Sequence, residues 1–398
     1  MMTLVLALVW IATVTGLCWW HRAALLRLWR EPVLRHPVLI VESDDWGAGP
    51  ARQDEALARL ARLLRAHRDG LGRHPLITLA LILAVPDGEA CRTGAYRRRD
   101  LGDPIFAPVR DAMAEGQAAG VFALQLHGME HYWPPALMAS ADAGVAAWRA
   151  SPEPLATEQL PSHLQSRWTD ASSLPSRALA PDAVHAAVEE ETALFARLFS
   201  RPARVVVPPT FLWTAEVERA WSAMGVEFVV TPGRRYNCRD ERGRPGCIDA
   251  AMHNGERGEG VTYIVRDDYF EPERGHDAAT ALDALARKQR EGRACLLETH
   301  RSNFIGDAAV VERAFTALDD LYRSALMRYS TLRFLSTEEL GRALRDGDPA
   351  WVVAEWRQRL PAWSARLREV EGFWRLARLS GLSFVIKSFV FFSARPAP

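Results

Sequence analysis

The chain has 398 residues, 48% hydrophobic and 25% charged, the make-up of a globular protein with room for one large core or two modest ones. Its 49 basic and 49 acidic residues cancel, so no overall field directs it toward nucleic acid or a strongly acidic partner. The five cysteines form no Cys-x-x-Cys, which argues against a cysteine zinc site; Cys238 and Cys247 could pair across a loop but read as free thiols, as in a reducing compartment.

Residues 1–20 carry no charge and are just long enough to cross a bilayer core. Arg22, Arg27, Arg30 and Arg35 follow this run and no basic residue precedes it. A retained single-pass anchor therefore fits better than a cleaved leader, and the positive-inside rule puts the main domain on the cytoplasmic side.

From residue 37 onward, short apolar runs alternate with amphipathic ones. Strands are expected at 37–42, 76–85, 121–126, 204–207, 226–230, 261–265, 294–298 and 331–335. Helices are expected at 52–69, 108–115, 183–198, 216–224, 278–291, 308–328 and 337–345. Residues 133–180 read as a long irregular excursion and 233–260 as an exposed loop. Strand and helix alternate throughout, which predicts a parallel α/β sheet over 36–346, and seven or eight repeats favour closure into a barrel.

The segment 350–398 differs, with Trp363, Phe373 and Trp374 interleaved with Arg366, Arg368, Arg375 and Arg378. It reads either as a basic amphipathic tail on an anionic membrane face or as a helix packed on the barrel. Its last apolar run, 382–392, is too short to span a bilayer and is interrupted by Lys387.

Three clusters carry the chemistry. Asp44-Asp45 follows the first strand, His127 and His131 follow the third, and His300 follows the seventh. In a parallel barrel the strand C-termini share one rim, so these groups converge although the sequence separates them widely. Two imidazoles four residues apart and one carboxylate make a three-ligand site with a position left for water. A second carboxylate beside it can take a proton, and a histidine opposite can give one to a leaving amine.

These residues resemble the polysaccharide deacetylases that share the NodB homology domain, carbohydrate esterase family 4. Glu42-Ser43-Asp44-Asp45-Trp46-Gly47 looks like the family's first motif, His127-Gly128-Met129-Glu130-His131 like its second, and Cys295-Leu296-Leu297-Glu298-Thr299-His300 like its late histidine motif. The resemblance covers roughly residues 36–340 and implies a distorted (β/α)7 barrel. It implies Asp44 as catalytic base, His300 as general acid, and Asp45, His127 and His131 as ligands of a divalent metal, with zinc best suited to two imidazoles and a carboxylate.

The sequence departs from the family pattern in two places. Trp46 stands where glycine normally follows the Asp pair, and Val205-Val206-Val207-Pro208-Pro209-Thr210-Phe211 lacks the arginine that orders the base, so either Arg266 or Arg301 would take that role or the base is held differently. Thr210 or Phe211 would offer a backbone N–H to an oxyanion, since neither proline can donate. Trp46, Trp133, Phe211 and Trp213, with Tyr132 and Phe304, are expected on or near the rim, as a set reading as faces for a pyranose, while any one of them reads equally as a loop anchor covering the barrel mouth.

The resulting expectation is hydrolysis of an N-acetyl group on an amino sugar of a polysaccharide or lipid-linked glycan, with anchor and tail holding the site near membrane-attached substrate. Two other readings are a metal-dependent glycoside hydrolase on a related barrel, which needs a second free carboxylate, and a catalytically silent glycan-binding or scaffold protein of a polysaccharide-assembly system.

Overall fold

β1 (Val38–Gly47) begins with four consecutive apolar residues and is buried along its whole length, as a strand flanked on both sides by parallel neighbours must be. The structure is a computed structural model that describes residues 2–393. Met1 and residues 394–398, which belong to the expected anchor and tail, lie outside the described residues. The other strands of the main sheet are β2 (Ile77–Ile82), β3 (Phe122–Gly128), β4 (Val205–Val206), β5 (Phe228–Thr231), β6 (Thr262–Val265), β7 (Asp268–Tyr269), β8 (Cys295–His300) and β9 (Arg333–Phe334). They run in the order β6-β5-β4-β3-β2-β1-β8-β7, all parallel, with β9 added beside the start of β1.

β6 and β7 lie at opposite ends of that order, yet only Arg266 and Asp267 separate them. The chain itself bridges the two sheet edges, one half pairing with β5 and the other with β8. Counted as one interrupted strand, β6–β7 closes a distorted seven-stranded barrel, so the expected fold class holds. The outer layer includes α3 (Gln53–Arg65), α4 (Ala107–Ala118), α5 (Pro181–Phe199), α6 (Ala215–Ala223), α7 (Ala278–Arg290), α8 (Ala308–Arg328) and α9 (Thr337–Asp346).

Alternation along the strands splits the barrel into an inside and an outside. Val38 and Ile40 of β1, with Val205, Val207, Phe228, Val230, Ile264 and Leu296, fill the interior at the strand N-termini, where Leu340 and Leu344 of α9 plug it. The same inward rows then turn polar: Glu42 and Asp44 continue β1, Glu298 and His300 continue β8, and Gln125 and His127 lie on β3. The outward residues, among them Leu39, Val41, Leu81, Leu126 and Leu297, pack against the helices. An apolar base and an ionisable mouth are thus written into every second residue.

The base rests on the chain termini. α1 (Met2–Trp20) is long and apolar enough to cross a membrane, and none of it is buried. α2 (Arg22–Arg30) and α10 (Trp356–Arg366) sit under the start of β8: the Leu34 N–H donates to the Gly292 carbonyl (2.8 Å), and buried Arg366 donates to the carbonyls of Glu291, Glu31 and Pro32 (2.7–3.0 Å). α11 (Glu371–Leu379) packs on α1 and α2 through Phe373 and Ala377, and α12 (Leu382–Ser393) leaves it at a 94° bend. Of the two readings of the tail, packing therefore holds for α10 and α11, while α12 exposes an apolar face.

The loop expected over 233–260 is instead largely a hairpin of two strands, Arg234–Arg239 and Pro245–Ala251. Its arginines hid the strand signal because two of them point inward. Arg235 pairs with buried Glu218 at 2.8 Å, and Arg239 donates to Ser166, Thr210 and the Gly243 carbonyl.

Candidate metal centre

Successive residues of a strand face opposite sides, so Asp44 and Asp45 should not both enter one cavity. A break in the ladder allows it: the β1–β2 register shifts between Ser43 and Trp46, and Asp45 has φ +71°, a left-handed conformation that aspartate tolerates better than most residues other than glycine. Buried Arg301 donates to the Asp45 carbonyl and secures this turn. Gly49 makes room for it, since a Cβ there would lie 2.7 Å from Arg301 Nη1.

The turn aims Asp45 at the histidines. His127 Nε2 and His131 Nε2 each lie 3.5 Å from Asp45 Oδ1, and all three side chains are buried. Two ligands each about 2.1 Å from one ion in tetrahedral geometry sit about 3.4 Å apart. The spacing therefore fits a shared ion better than a direct hydrogen bond. Asp45 Oδ1 has no hydrogen-bond partner although it is buried. His127 Nδ1 faces the Val207 carbonyl at 2.8 Å; donation from Nδ1 to that carbonyl leaves the Nε2 lone pair turned toward Asp45. Burial would raise the Asp45 carboxyl, but facing His131 and His127 hold it well below its ordinary value. Burial lowers His131 to about 4, so its imidazole is neutral, as a ligand must be. The donor set fits a divalent ion.

Beside it, Arg266 lies in the gap between β6 and β7 with its side chain fully buried. Its two Nη atoms reach both Asp44 oxygens at 2.9 and 2.6 Å, and the same guanidinium touches Glu42 (2.8 Å) and Glu298 (3.1 Å). Burial opposes ionisation of Asp44, yet Arg266 and His127 keep its carboxyl below the usual range. Burial instead raises Glu42 and Glu298. Of the two arginines considered for ordering Asp44, Arg266 does so, and Arg301 serves Asp45.

His300 stands opposite, its backbone in register with Asp44. His300 Nδ1 meets Glu271 Oε1 at 2.6 Å, and Asn303 holds the other Glu271 oxygen at 2.6 Å. Burial would lower His300, but Glu271, Asp45 and Asp44 push it up to about 10. The imidazole is therefore protonated at neutral pH.

These groups line a cleft of about 400 Å³ whose far wall is Pro208, Thr210 and Phe211. Thr210 and Phe211 both adopt left-handed φ, +54° and +53°. The Phe211 N–H is taken by the Pro208 carbonyl (2.9 Å), whereas the Thr210 N–H has no partner among the described residues.

No family model matches the sequence, and no curated protein matches it. Solved structures do, at low identity. A family 4 carbohydrate esterase from Streptomyces lividans is 9% identical over 75% of this chain and 91% of its own, with a TM-score of 0.34. A peptidoglycan deacetylase from Bacillus subtilis is 9% identical over 79% and 95%, with a TM-score of 0.37. A 4-alpha-glucanotransferase from Thermococcus litoralis is 10% identical over 77% of this chain, with a TM-score of 0.39, and this chain spans only 40% of its length.

Asp44, Asp45, His127, His131, His300, Thr210 and Phe211 thus share one cleft, but most of the expected sugar-facing aromatics do not. Trp46 is fully buried, its Nε1 donating to Ser43 Oγ (2.7 Å) and its ring stacked near Phe304, so it belongs to the core. Trp213 is equally buried and donates to Glu218 (2.8 Å). Tyr132 and Phe304 are buried too. Trp133 is half-buried against Arg167, 5.9 Å from its ring, and stands outside the cleft wall. Large aromatics after strands served to cap the barrel here. Glu298, quoted only as part of the late motif, and Glu271 have no role assigned from the sequence. Glu298 was findable, being two residues before His300 on the same strand face; Glu271 lies past β7 in a segment with no periodic signal.

Proposed function

We propose that this protein is a metal-dependent hydrolase that removes the N-acetyl group from an amino sugar of a glycan, held at a membrane by α1. One observation carries the reading: an orphaned buried carboxylate oxygen lies 3.5 Å from two imidazole nitrogens, beside an arginine-held carboxylate and a protonated histidine. Asp45, His127 and His131 would hold the ion, zinc by ligand type. When bound, such an ion supplies Lewis acidity that makes water a nucleophile and an amide carbonyl an electrophile.

The chain's own groups do the rest. Asp44, kept ionised and oriented by Arg266, accepts the proton of the attacking water. The Thr210 N–H is free to meet negative charge developing on the carbonyl oxygen. His300 gives its Nε2 proton to the departing nitrogen, with Glu271 on Nδ1 fixing the tautomer and orientation. An amine leaves poorly unless protonated, and this pairing of an ionised carboxylate with a charged imidazole supplies both transfers.

The glycosidase reading gains a second cleft carboxylate in Glu298. However, Glu298 and Asp44 both contact the same guanidinium nitrogen, at 3.1 and 2.6 Å, so they face one arginine rather than opposite sides of a bond. Acetate release from acetylated amino sugars, with and without chelator, tests the proposal. Metal-dependent acetate is expected. Released sugar would favour the glycosidase, and no product would leave a silent scaffold. Metal analysis of wild type against His127→Ala should find one ion per chain, lost in the variant.

A further inference from the structure

Beneath the barrel, a cleft of about 930 Å³ lies between the end of α7, the last turns of α10, and α12. Its three acidic side chains are already paired: Asp267 with Lys288 (2.5 Å), Glu291 with Arg287 and Arg293 (3.4 and 3.3 Å), and Glu369 with Arg293 (2.5 Å). Three cations in the same cleft, Arg290, Arg368 and Lys387, have no carboxylate partner among the described residues. Arg368 and Lys387 each lie 5.9 Å from the Trp374 ring, so both charges border the same side chain. The unmatched charge of the cleft is therefore entirely positive.

The cleft adjoins an exposed apolar surface. Phe384, Phe389 and Phe392 of α12 are 74%, 55% and 68% exposed, and Leu379 at the bend is 78% exposed. Lys387 is the one charged residue of α12. At about 18 Å this helix cannot span a bilayer, but it can lie in the interface with its aromatic face among acyl chains. On its other flank an apolar groove of about 490 Å³, walled by Leu25, Trp29, Trp363, Val385 and Phe389, offers room for a hydrocarbon chain. An anion-seeking cleft edged by aromatic residues and a tail-sized groove matches the two ends of one molecule.

We infer that this base is a binding site for an anionic phospholipid, its phosphate headgroup held by Arg290, Arg368 and Lys387 beside Trp374 and its acyl chains laid against α12. The inference is independent of the catalytic proposal, since the cleft lies at the opposite end of the barrel. A soluble phosphate would satisfy the cations but leave the aromatic face of α12 uncovered, so the lipid is the occupant.

The test uses the full chain in a mild neutral detergent, titrated with phosphatidylglycerol, with phosphatidylcholine of the same chain length, and with inorganic phosphate. Bound lipid is counted by native mass spectrometry. One phosphatidylglycerol should bind in preference to phosphatidylcholine and resist inorganic phosphate. At roughly fivefold per basic residue, the R290A/R368A/K387A variant should bind about 100-fold more weakly. The charge-keeping R290K/R368K/K387R variant should retain binding, which separates lost charge from lost fold. The inference is overturned if phosphatidylcholine binds equally well, if inorganic phosphate displaces the lipid at equal concentration, or if the alanine variant binds as wild type does.

Discussion

Arg266 is the residue on which the cleft's electrostatics turn. Among the described residues it is the one cation contacting Glu42, Asp44 and Glu298 together, and all four side chains are largely withdrawn from water. Removing it would leave buried carboxylates without a counter-charge, a change that costs about 3–5 kcal/mol in comparable buried pairs. Arg266→Met should therefore lower stability by that order in denaturant unfolding as well as abolish activity; a stable but inactive variant would show that the carboxylates simply take up protons. Glu271 acts on a single proton. His300 needs that proton to act as an acid, so activity falls as pH rises through its pKa, held up to about 10 by Glu271 and the neighbouring Asp45 and Asp44. Glu271→Gln removes the largest favourable contact, so the alkaline fall in kcat should move to lower pH. An unmoved alkaline limb would remove His300 from that role. Gly49→Ala tests support from behind: pushing Arg301 off the Asp45 carbonyl should weaken zinc binding about 10–100-fold, the usual cost of losing a ligand's supporting contact, as read by metal titration.

At the scale of the element, β1 does most of the positioning. Its inward row runs from Val38 through Ile40 to Glu42 and Asp44, from grease to charge in one strand. Trp46 ends it as a core residue, so Trp46→Ala should destabilise the fold by about 3–5 kcal/mol in denaturant unfolding. A sugar platform would instead lose substrate affinity at unchanged stability. Strand periodicity and the pairing of acid and imidazole types were visible in the residues alone, and so was the convergence of three strand ends. The ladder break at Asp45 was not, because nothing in the string distinguishes a left-handed aspartate from an extended one. The aromatic rim failed because hydrophobic bulk after a strand describes a barrel cap as well as a binding face. The arginine-rich hairpin was masked because Arg235 and Arg239 carry charge inward to Glu218 and to Ser166 and Thr210, where composition suggests solvent.

For the molecule as a whole, the important fact is direction. The main-sheet strands are parallel, and α2, α10 and α11 close their N-terminal ends, next to the candidate span α1. At about 3.3 Å per residue, β1 alone carries Asp45 roughly 23 Å from that base. In the proposed membrane-held enzyme the cleft would therefore open on the side of the barrel away from the base, and the expectation that anchor and tail hold it near membrane-attached substrate turns on that distance. Acetate release should rise with glycan length, and an acetylated monosaccharide on a lipid carrier should be turned over poorly in reconstituted vesicles. Equal rates for the two would contradict this orientation. In that proposed arrangement the barrel would act as a stalk of fixed height, sorting substrates by how far they stand above the lipid surface before any side chain meets them.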